Sequence, residues 1–487
     1  MSLDRREFLR LGACAAAAGM VPLRSLLAAE AATRADVTLR IGRALVELAP
    51  DRIVPTTTYN GQCPGPLLRF REGQRVVVDV FNDTDVPEQL HWHGQAVPVD
   101  VDGSTEEGTP FIPAHGMRRL TFTPGPPGFR FYHSHVIARD DLSKGQYAGL
   151  VGPLYIEPRN EPGRHDHEVF LTLKEFEPYF SRGGDMAMDF LRPAQRDRDL
   201  QQRGEQAMRA SLAGGSSKGY EVGYQSFAIN GRMLGHGEPI RVKAGERVLF
   251  HVLNGSATEI RSLALPGHTF RVVALDGNPV PRSADVPVLW IGTGERVSAV
   301  VEMTHPGVWV MGDLDDDDRA HGMGVVVEYA GQKGRPRWNA PPRHAGWDYR
   351  WFASPNGKPV TPDDIIELTF AKANAAEQGF NRWTINDMAF DMKAMRPMMK
   401  LQRGKRYRLR MRNASDDIHP MHLHRHRFEI TSIAGKPTAG LLKDVAMLGG
   451  YQTMDVDFIA DQPGLSLFHC HMQLHMDFGF MALFDCA

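Results

Sequence analysis

The stretch Gly404-Lys405-Arg406-Tyr407-Arg408-Leu409-Arg410-Met411-Arg412-Asn413 decides the fold, because it is the third use of one phrase. The same phrase runs Gly73-Gln74-Arg75-Val76-Val77-Val78-Asp79-Val80-Phe81-Asn82, and again Gly245-Glu246-Arg247-Val248-Leu249-Phe250-His251-Val252-Leu253-Asn254. In each copy a glycine stands nine residues before the closing asparagine, and an Asn60-Gly61, Asn230-Gly231 or Asn386-Asp387 pair lies upstream. Self-similarity at long spacing marks repeated units. Alternation between turn residues marks each copy as a turn, a strand and a turn.

A second phrase opens the last strands of each unit: Pro127-Gly128-Phe129-Arg130, Pro306-Gly307-Val308-Trp309 and Pro463-Gly464-Leu465-Ser466. Together the phrases divide the chain into all-β units at residues 36–160, 161–335 and 336–487. Short strands between Gly, Pro and Asn turns favour Greek-key β-sandwiches over any α/β fold. Residues 181–220, charged and Gly/Ser-rich, read as a partly helical insertion in the middle unit. Residues 331–363, rich in Pro, Gly and Arg, read as the linker to the third unit.

With 487 residues, 42 % hydrophobic and 23 % charged, the chain has ample material for several cores and is not a disordered or fibrous protein. A balance of 56 Lys+Arg against 58 Asp+Glu offers no general attraction to nucleic acid or anionic membrane. The excess lies in 20 His and 22 Met beside 4 Cys, a mixture suited to soft or borderline metals. At the N-terminus, Arg5-Arg6-Glu7-Phe8-Leu9 precedes an apolar run and a small-residue cleavage site near Ala31. Residues 1–31 therefore resemble a twin-arginine export signal, which implies the twin-arginine machinery as a partner and a periplasmic or secreted protein. No later apolar run approaches the ~18 residues that span a bilayer, so the mature chain is expected to be soluble.

The differences between the repeats carry the chemistry. At nine and eleven residues past the closing asparagine stand His91 and His93 in the first unit and His422 and His424 in the third, but Leu263 and Leu265 in the second. Six residues past it stands His419 in the third unit only. After the second phrase come His133-Ser134-His135 and Arg139 in the first unit, His469-Cys470-His471 and His475 in the third, and Gly312-Asp313-Leu314 and Asp318 in the second. On a strand, residues two apart share a face, so each His-x-His projects two imidazoles together. Cys470 then points away from its neighbours, where His419 and His475 complete a His2Cys set, the arrangement of blue-copper electron-transfer sites. A structural zinc site closes with four ligands, far fewer than the eleven side chains here. The middle unit lacks a ligand set and is expected to act as a spacer. Its acidic run, Asp313-Leu314-Asp315-Asp316-Asp317-Asp318, reads as a solvated loop.

His91-Trp92-His93-Gly94, His133-Ser134-His135, His419-Pro420-Met421-His422-Leu423-His424 and His469-Cys470-His471 with His475 resemble the four signature segments of the multicopper oxidases. That family includes laccases, ascorbate oxidase and bacterial copper efflux oxidases. The resemblance implies three cupredoxin-like domains and four copper ions. His419, Cys470 and His475 would hold the type 1 copper, and His91 with His422 the type 2 copper. His93, His133, His135, His424, His469 and His471 would hold the type 3 pair. The implied reaction couples one-electron oxidations of a reducing substrate to reduction of dioxygen to water. Asp102 matches an acidic residue of the family near the cluster and would deliver protons; a turn aspartate before Gly103 is the alternative. Phe480 falls at the axial position, where a non-coordinating side chain favours Cu(I) and raises the reduction potential. A slip of one residue would put Met481 there instead.

The substrate is less legible. Phenols or aromatic amines, the laccase substrates, are the broad expectation. Met388, Met392, Met395, Met398 and Met399 admit oxidation of cuprous or other metal ions instead, since thioethers select Cu(I). Methionine also fills irregular cores, and the segment is expected to pack within the strand framework. A copper-binding protein with secondary oxidase activity is a further alternative. Cys63 and Cys486 remain as a candidate disulfide, which export would permit.

Overall fold

The computed structural model describes residues 34–159, 164–182, 190–215, 218–341 and 345–487. The expected signal segment lies outside them. The first unit pairs two four-stranded sheets, and the third faces a six-stranded sheet with a five-stranded one. The second sets a six-stranded sheet beside sheets of three and two strands.

The repeated phrase occupies the same place each time. Val76–Asn82 runs parallel to Val37–Ala49 and antiparallel to Met117–Phe122. Arg247–Asn254 runs parallel to His167–Ser181 and antiparallel to Arg296–Glu302. Arg406–Asn413 repeats this between Asp364–Glu377 and Thr453–Ile459. The asparagine turns explain why the phrase recurs. Asn60, Asn230 and Asn386 all adopt left-handed backbone, which the tight hairpin turn requires and which asparagine tolerates. Each side chain also accepts a hydrogen bond from a backbone N–H of the neighbouring strand, that of Arg40, Thr172 or Thr369.

The closing asparagines fix the distance to the histidines. The buried Nδ2 of Asn82 donates to the carbonyls of Val86 and Ile112, that of Asn254 to Glu259 and Ile291, and that of Asn413 to Asp417 and Gly449. Their Oδ1 atoms accept from Thr84, Ser256 and Ser415 two residues on. Each amide thus folds the following loop back on itself and delivers the next strand, which carries His91 and His93 in the first unit and His419 and His422 in the third.

Three expectations change, and the partly helical insertion gains a partner in the third unit. The helix Arg198–Ala213 lies in the middle unit's insertion but packs on the third unit: Arg203 pairs with Asp387 at 2.6 Å, and Gly204 passes so close to Ala414 that a Cβ would lie 2.4 Å from its carbonyl. The acidic run is not simply solvated. Asp313 is buried and accepts from Ser262, Asp315 caps the short helix Asp316–Ala320, and Asp318 pairs with buried Arg261. Cys63 and Cys486 form no bridge. Cys63 sits among Val46, Phe131 and Tyr155, while Cys486 closes the last strand of the third unit and donates to the carbonyl of Ala460. Of the five clustered methionines only Met399 lies on a strand, and Met388 and Met395 are exposed, so packing accounts for part of the cluster alone.

Truncating a closing asparagine orphans two buried carbonyls, each worth about 1–3 kcal/mol. Asn413→Ala should therefore destabilise the protein by about 3 kcal/mol in denaturant titration, whereas Arg412→Ala next to it should change stability by no more than about 0.5 kcal/mol.

Candidate metal centre

Two antiparallel ladders bring the His-x-His pairs together. In the first unit His91 lies opposite His133 and His93 opposite Phe131; in the third His422 lies opposite His469 and Met421 opposite Cys470. The two ladders then face each other. His91 stacks on His424 at 4.0 Å between ring centroids, and His93 stacks on His422 at 3.8 Å. His91, His422 and His424 converge, as do His91, His93 and His133, and His135, His424 and His469. All ten histidines and Cys470 are buried.

The hydrogen bonds on the outer edges of these rings decide which nitrogens face inward. His133, His422 and His469 donate from Nδ1 to the carbonyls of Ser134, Asp444 and Cys470 at 2.7–2.8 Å. A carbonyl can only accept, so Nδ1 carries the proton and the Nε2 lone pair is left free. Nε2 of His91, His133 and His422 has no partner at all. Elsewhere, Nε2 of His424 and His469 stand 3.0 Å apart, and Nε2 of His471 stands 3.3 Å from Nδ1 of His93. Burial and mutual repulsion hold His93, His133, His424, His469 and His471 well below the usual imidazole range, so they are neutral. Neutral imidazoles with orphaned lone pairs converging in a dry cavity fit metal cations, and borderline ones above all.

Cys470 belongs to a different site. Its Sγ lies 3.8 Å from Nδ1 of His419 and 3.5 Å from Nδ1 of His475, and Ser415 bonds the far nitrogen of His419 at 2.8 Å. Burial pushes the Cys470 thiol up, so a thiolate forms there only against a bound cation. The ring of Phe480 lies 4.8 Å from that of His419 and stacks against Trp383. Met481 points the other way, opposite His469 and packed with Leu467, Met476 and Leu483. Arg139, at the repeat position of His475, bonds Glu377 at 2.8 Å instead.

Asp102 bridges the two units. Its Oδ2 is 3.0 Å from Nδ1 of His91 and 3.0 Å from Nδ1 of His424. Burial opposes its ionisation, but His91, Glu107 and Arg425 together outweigh burial and hold it down; burial and then Asp102 itself push the adjoining Glu107 well up. Glu106 lies 3.6 Å from His135.

Sequence reasoning missed these glutamates and, more consequentially, Asp444. Oδ1 of Asp444 bonds Nε2 of His93 at 3.1 Å, and its carbonyl holds His422. Arg130 and Arg296 grip its carboxylate, Asp276 accepts from the backbone N–H of Asp444, and Lys443 joins Asp276 to Glu295 at 2.9 Å on each side. Asp276, Glu295 and Arg296 come from the middle unit, which is therefore more than a spacer. The available signal was Arg130 and Arg296 standing inside apolar strands.

Multicopper oxidase family models match residues 44–161, 199–326 and 359–486. The chain belongs to the multicopper oxidases. Its units are cupredoxin-like domains, and copper is the metal the family binds. It is 29 % identical to the multicopper oxidase MmcO of Mycobacterium tuberculosis, over 89 % of this chain and 83 % of that one. Laccase-4 of Thanatephorus cucumeris is 24 % identical over 88 % and 85 %. The crystal structure of a multicopper oxidase from Pseudomonas thermotolerans superposes with a TM-score of 0.68 at 26 % identity, covering 93 % of this chain and 100 % of that one.

Asp444→Asn in this multicopper oxidase would leave Arg130 buried without its bonded carboxylate and Arg296 with Asp276 alone, and should cost about 3–5 kcal/mol in denaturant unfolding. Burial resists ionisation of Asp444, yet Arg296 and Arg130 outweigh it and hold the carboxyl down to about 2. An unfolded aspartate titrates near 4, so this stabilisation is complete above about pH 4 and is lost as pH falls toward 2. Acid unfolding of Asp444→Asn should accordingly be shallower than that of the parent below about pH 4.

Proposed function

We propose that this multicopper oxidase couples one-electron oxidation of phenols or aromatic amines to four-electron reduction of dioxygen to water. The observation that carries this reading is the separation of the Cys470 site from the eight-histidine cluster, with Cys470 bonded directly into His469 and His471. His419, Cys470 and His475 would hold the type 1 copper, His91 and His422 the type 2 copper, and His93, His133, His135, His424, His469 and His471 the type 3 pair. Bound copper supplies the electron transfer and the dioxygen chemistry. The protein supplies exclusion of water, fixed imidazoles and, at Asp102 beside Glu107, a carboxyl pair that holds a proton next to His424. Phe480, which has no donor atom, would offer a copper at the Cys470 site no further ligand.

A cavity of about 240 Å³ reaches His475, with walls from both the second and third domains. A donor seated there meets a ligand of the Cys470 site directly. Glu221 in the same wall is pushed up to about 8, by burial first and by Asp417 second. It accepts a phenolic proton only above that pH, so phenol turnover should rise toward pH 8 and Glu221→Gln should flatten the rise.

Oxidation of cuprous or another metal ion is the second reading. Glu221, Glu259, Asp416 and Asp417 line this cavity together with Met472, a donor set for cations. Met388 and Met395 add exposed thioethers. The twin-arginine segment supports export to the periplasm or beyond. Among the described residues no helix is long and apolar enough to cross a membrane.

Dioxygen uptake separates the readings. Turnover of a phenol by the copper-loaded protein without added metal supports the first, and uptake only with Cu(I) the second; no uptake with either would sink the oxidase reading. Cys470→Ser should abolish both the blue absorbance and turnover. Phe480→Met should alter the blue band and lower the type 1 potential, and an unchanged spectrum would remove Phe480 from the axial position.

A further inference from the structure

The middle domain, which has none of the family's ligands, holds a different cluster. His165 precedes the strand His167–Ser181, Glu168 lies within it, and His251 lies on the adjacent parallel strand Arg247–Asn254. Register places Leu249 opposite Glu168 and His251 opposite Phe170, so the carboxylate and His251 emerge on one face. Nε2 of His165 is 3.7 Å from Oε1 of Glu168, and Nε2 of His251 is 3.8 Å from the same oxygen. Both separations exceed a hydrogen bond. Nε2 of His251 is buried, has no partner and points at that oxygen, while Nδ1 of the ring is anchored by Ser298 at 2.8 Å.

We propose that His165, Glu168 and His251 bind a borderline divalent cation, zinc or copper(II), at the seam of the first and second domains. Bonds of about 2.1 Å to one ion, spread at trigonal angles, put ligand atoms about 3.6 Å apart, which is close to the separation of each imidazole nitrogen from Oε1. Two imidazoles and a carboxylate are the donor types both ions take. Arg69 of the first domain bonds the other oxygen, Oε2, at 3.0 Å and turns Oε1 toward the imidazoles. His251 and Arg69 hold the Glu168 carboxyl down to about 2 against the effect of burial, while burial lowers His251. At neutral pH the pair is therefore anionic and neutral, as ligation requires. Phe170 stacks on His251 at 4.6 Å, and Phe129 and Tyr155 adjoin it, so the inner side is dry. The side chains of His165 and Glu168 remain 17 % and 18 % exposed and give the ion a way in. None of the three residues is a copper ligand of the family, so the site fills independently of the oxidase centres.

The test uses the full-length, copper-loaded protein. Zinc chloride is added, excess is removed by dialysis, and zinc and copper per chain are measured by mass spectrometry; a parallel sample receives Cu(II) and is read by spin resonance. One additional zinc per chain with unchanged blue absorbance, or one additional non-blue Cu(II) signal, is expected. His165→Gln and Glu168→Gln should each weaken that binding at least tenfold while the blue absorbance stays intact. His165→Gln changes a partly exposed side chain before the strand and keeps the test valid if Glu168→Gln fails to fold. No additional metal, or additional metal bound equally by the parent and His165→Gln, would overturn the proposal. Zinc that displaces copper with loss of the blue absorbance would do so as well.

Discussion

The buried carboxylate of Asp444 is the point on which the three domains agree. A charge taken out of water costs several kcal/mol unless partners surround it, and for this third-domain carboxylate they come from the other two domains: Arg130 and His93 from the first and Arg296 from the second. The same residue positions His93 through its side chain and His422 through its carbonyl. One satisfied charge therefore sets both the docking of the domains and the aim of two imidazoles that stack across the interface. Removing the middle domain would leave this charge under-compensated, which explains why a unit with no family copper ligand is retained in the architecture.

Orientation of the rings follows the same logic at smaller scale. An imidazole ligates with one nitrogen only if the other is committed elsewhere. Backbone carbonyls commit His133, His422 and His469, while carboxylates commit His91, His93 and His424. The cluster is thus held open by its surroundings, with lone pairs already converging. Buried lone pairs without partners are costly, and a bound cation would satisfy them.

The parts legible in the sequence were those written at short range. Glycine and asparagine at fixed spacing announce a turn and a strand, and His-x-His announces a shared face, because both depend on local backbone geometry alone. Asp444, Glu106 and Glu107 carried no such mark: each acquires its role from residues hundreds of positions away or from a loop whose path the sequence does not show. The acidic run at residues 313–318 misled for the complementary reason. Charge density alone reads as solvent exposure, whereas Arg261 and Ser262, on another strand, turn half of it into structure. The cysteines misled similarly, since permission to oxidise says nothing about the two different cores that hold Cys63 and Cys486.

Long-range assembly also separates what is constrained from what is free. The eight-histidine cluster sits in an interface where Asp102 touches His91 and His424, and Asp444 touches His93, Arg130 and Arg296, so a change at either carboxylate disturbs more than one domain. The cavity at His475 is built otherwise. Its walls come from the strand Glu221–Ile229, the helix Arg198–Ala213 and the loop at Asp416 and Asp417, elements that touch the Cys470 site without ordering the cluster. Lys372, between Asp416 and Asp417 at 2.6 Å from each, sets the charge there and lies over the ring of Trp383, which packs on His475. Substitutions in this wall change the shape and charge of the cavity beside His475, while the Asp444 web that orders the cluster is left in place. The Cys470 site and the histidine cluster thereby rest on different supports, joined by the covalent segment His469-Cys470-His471.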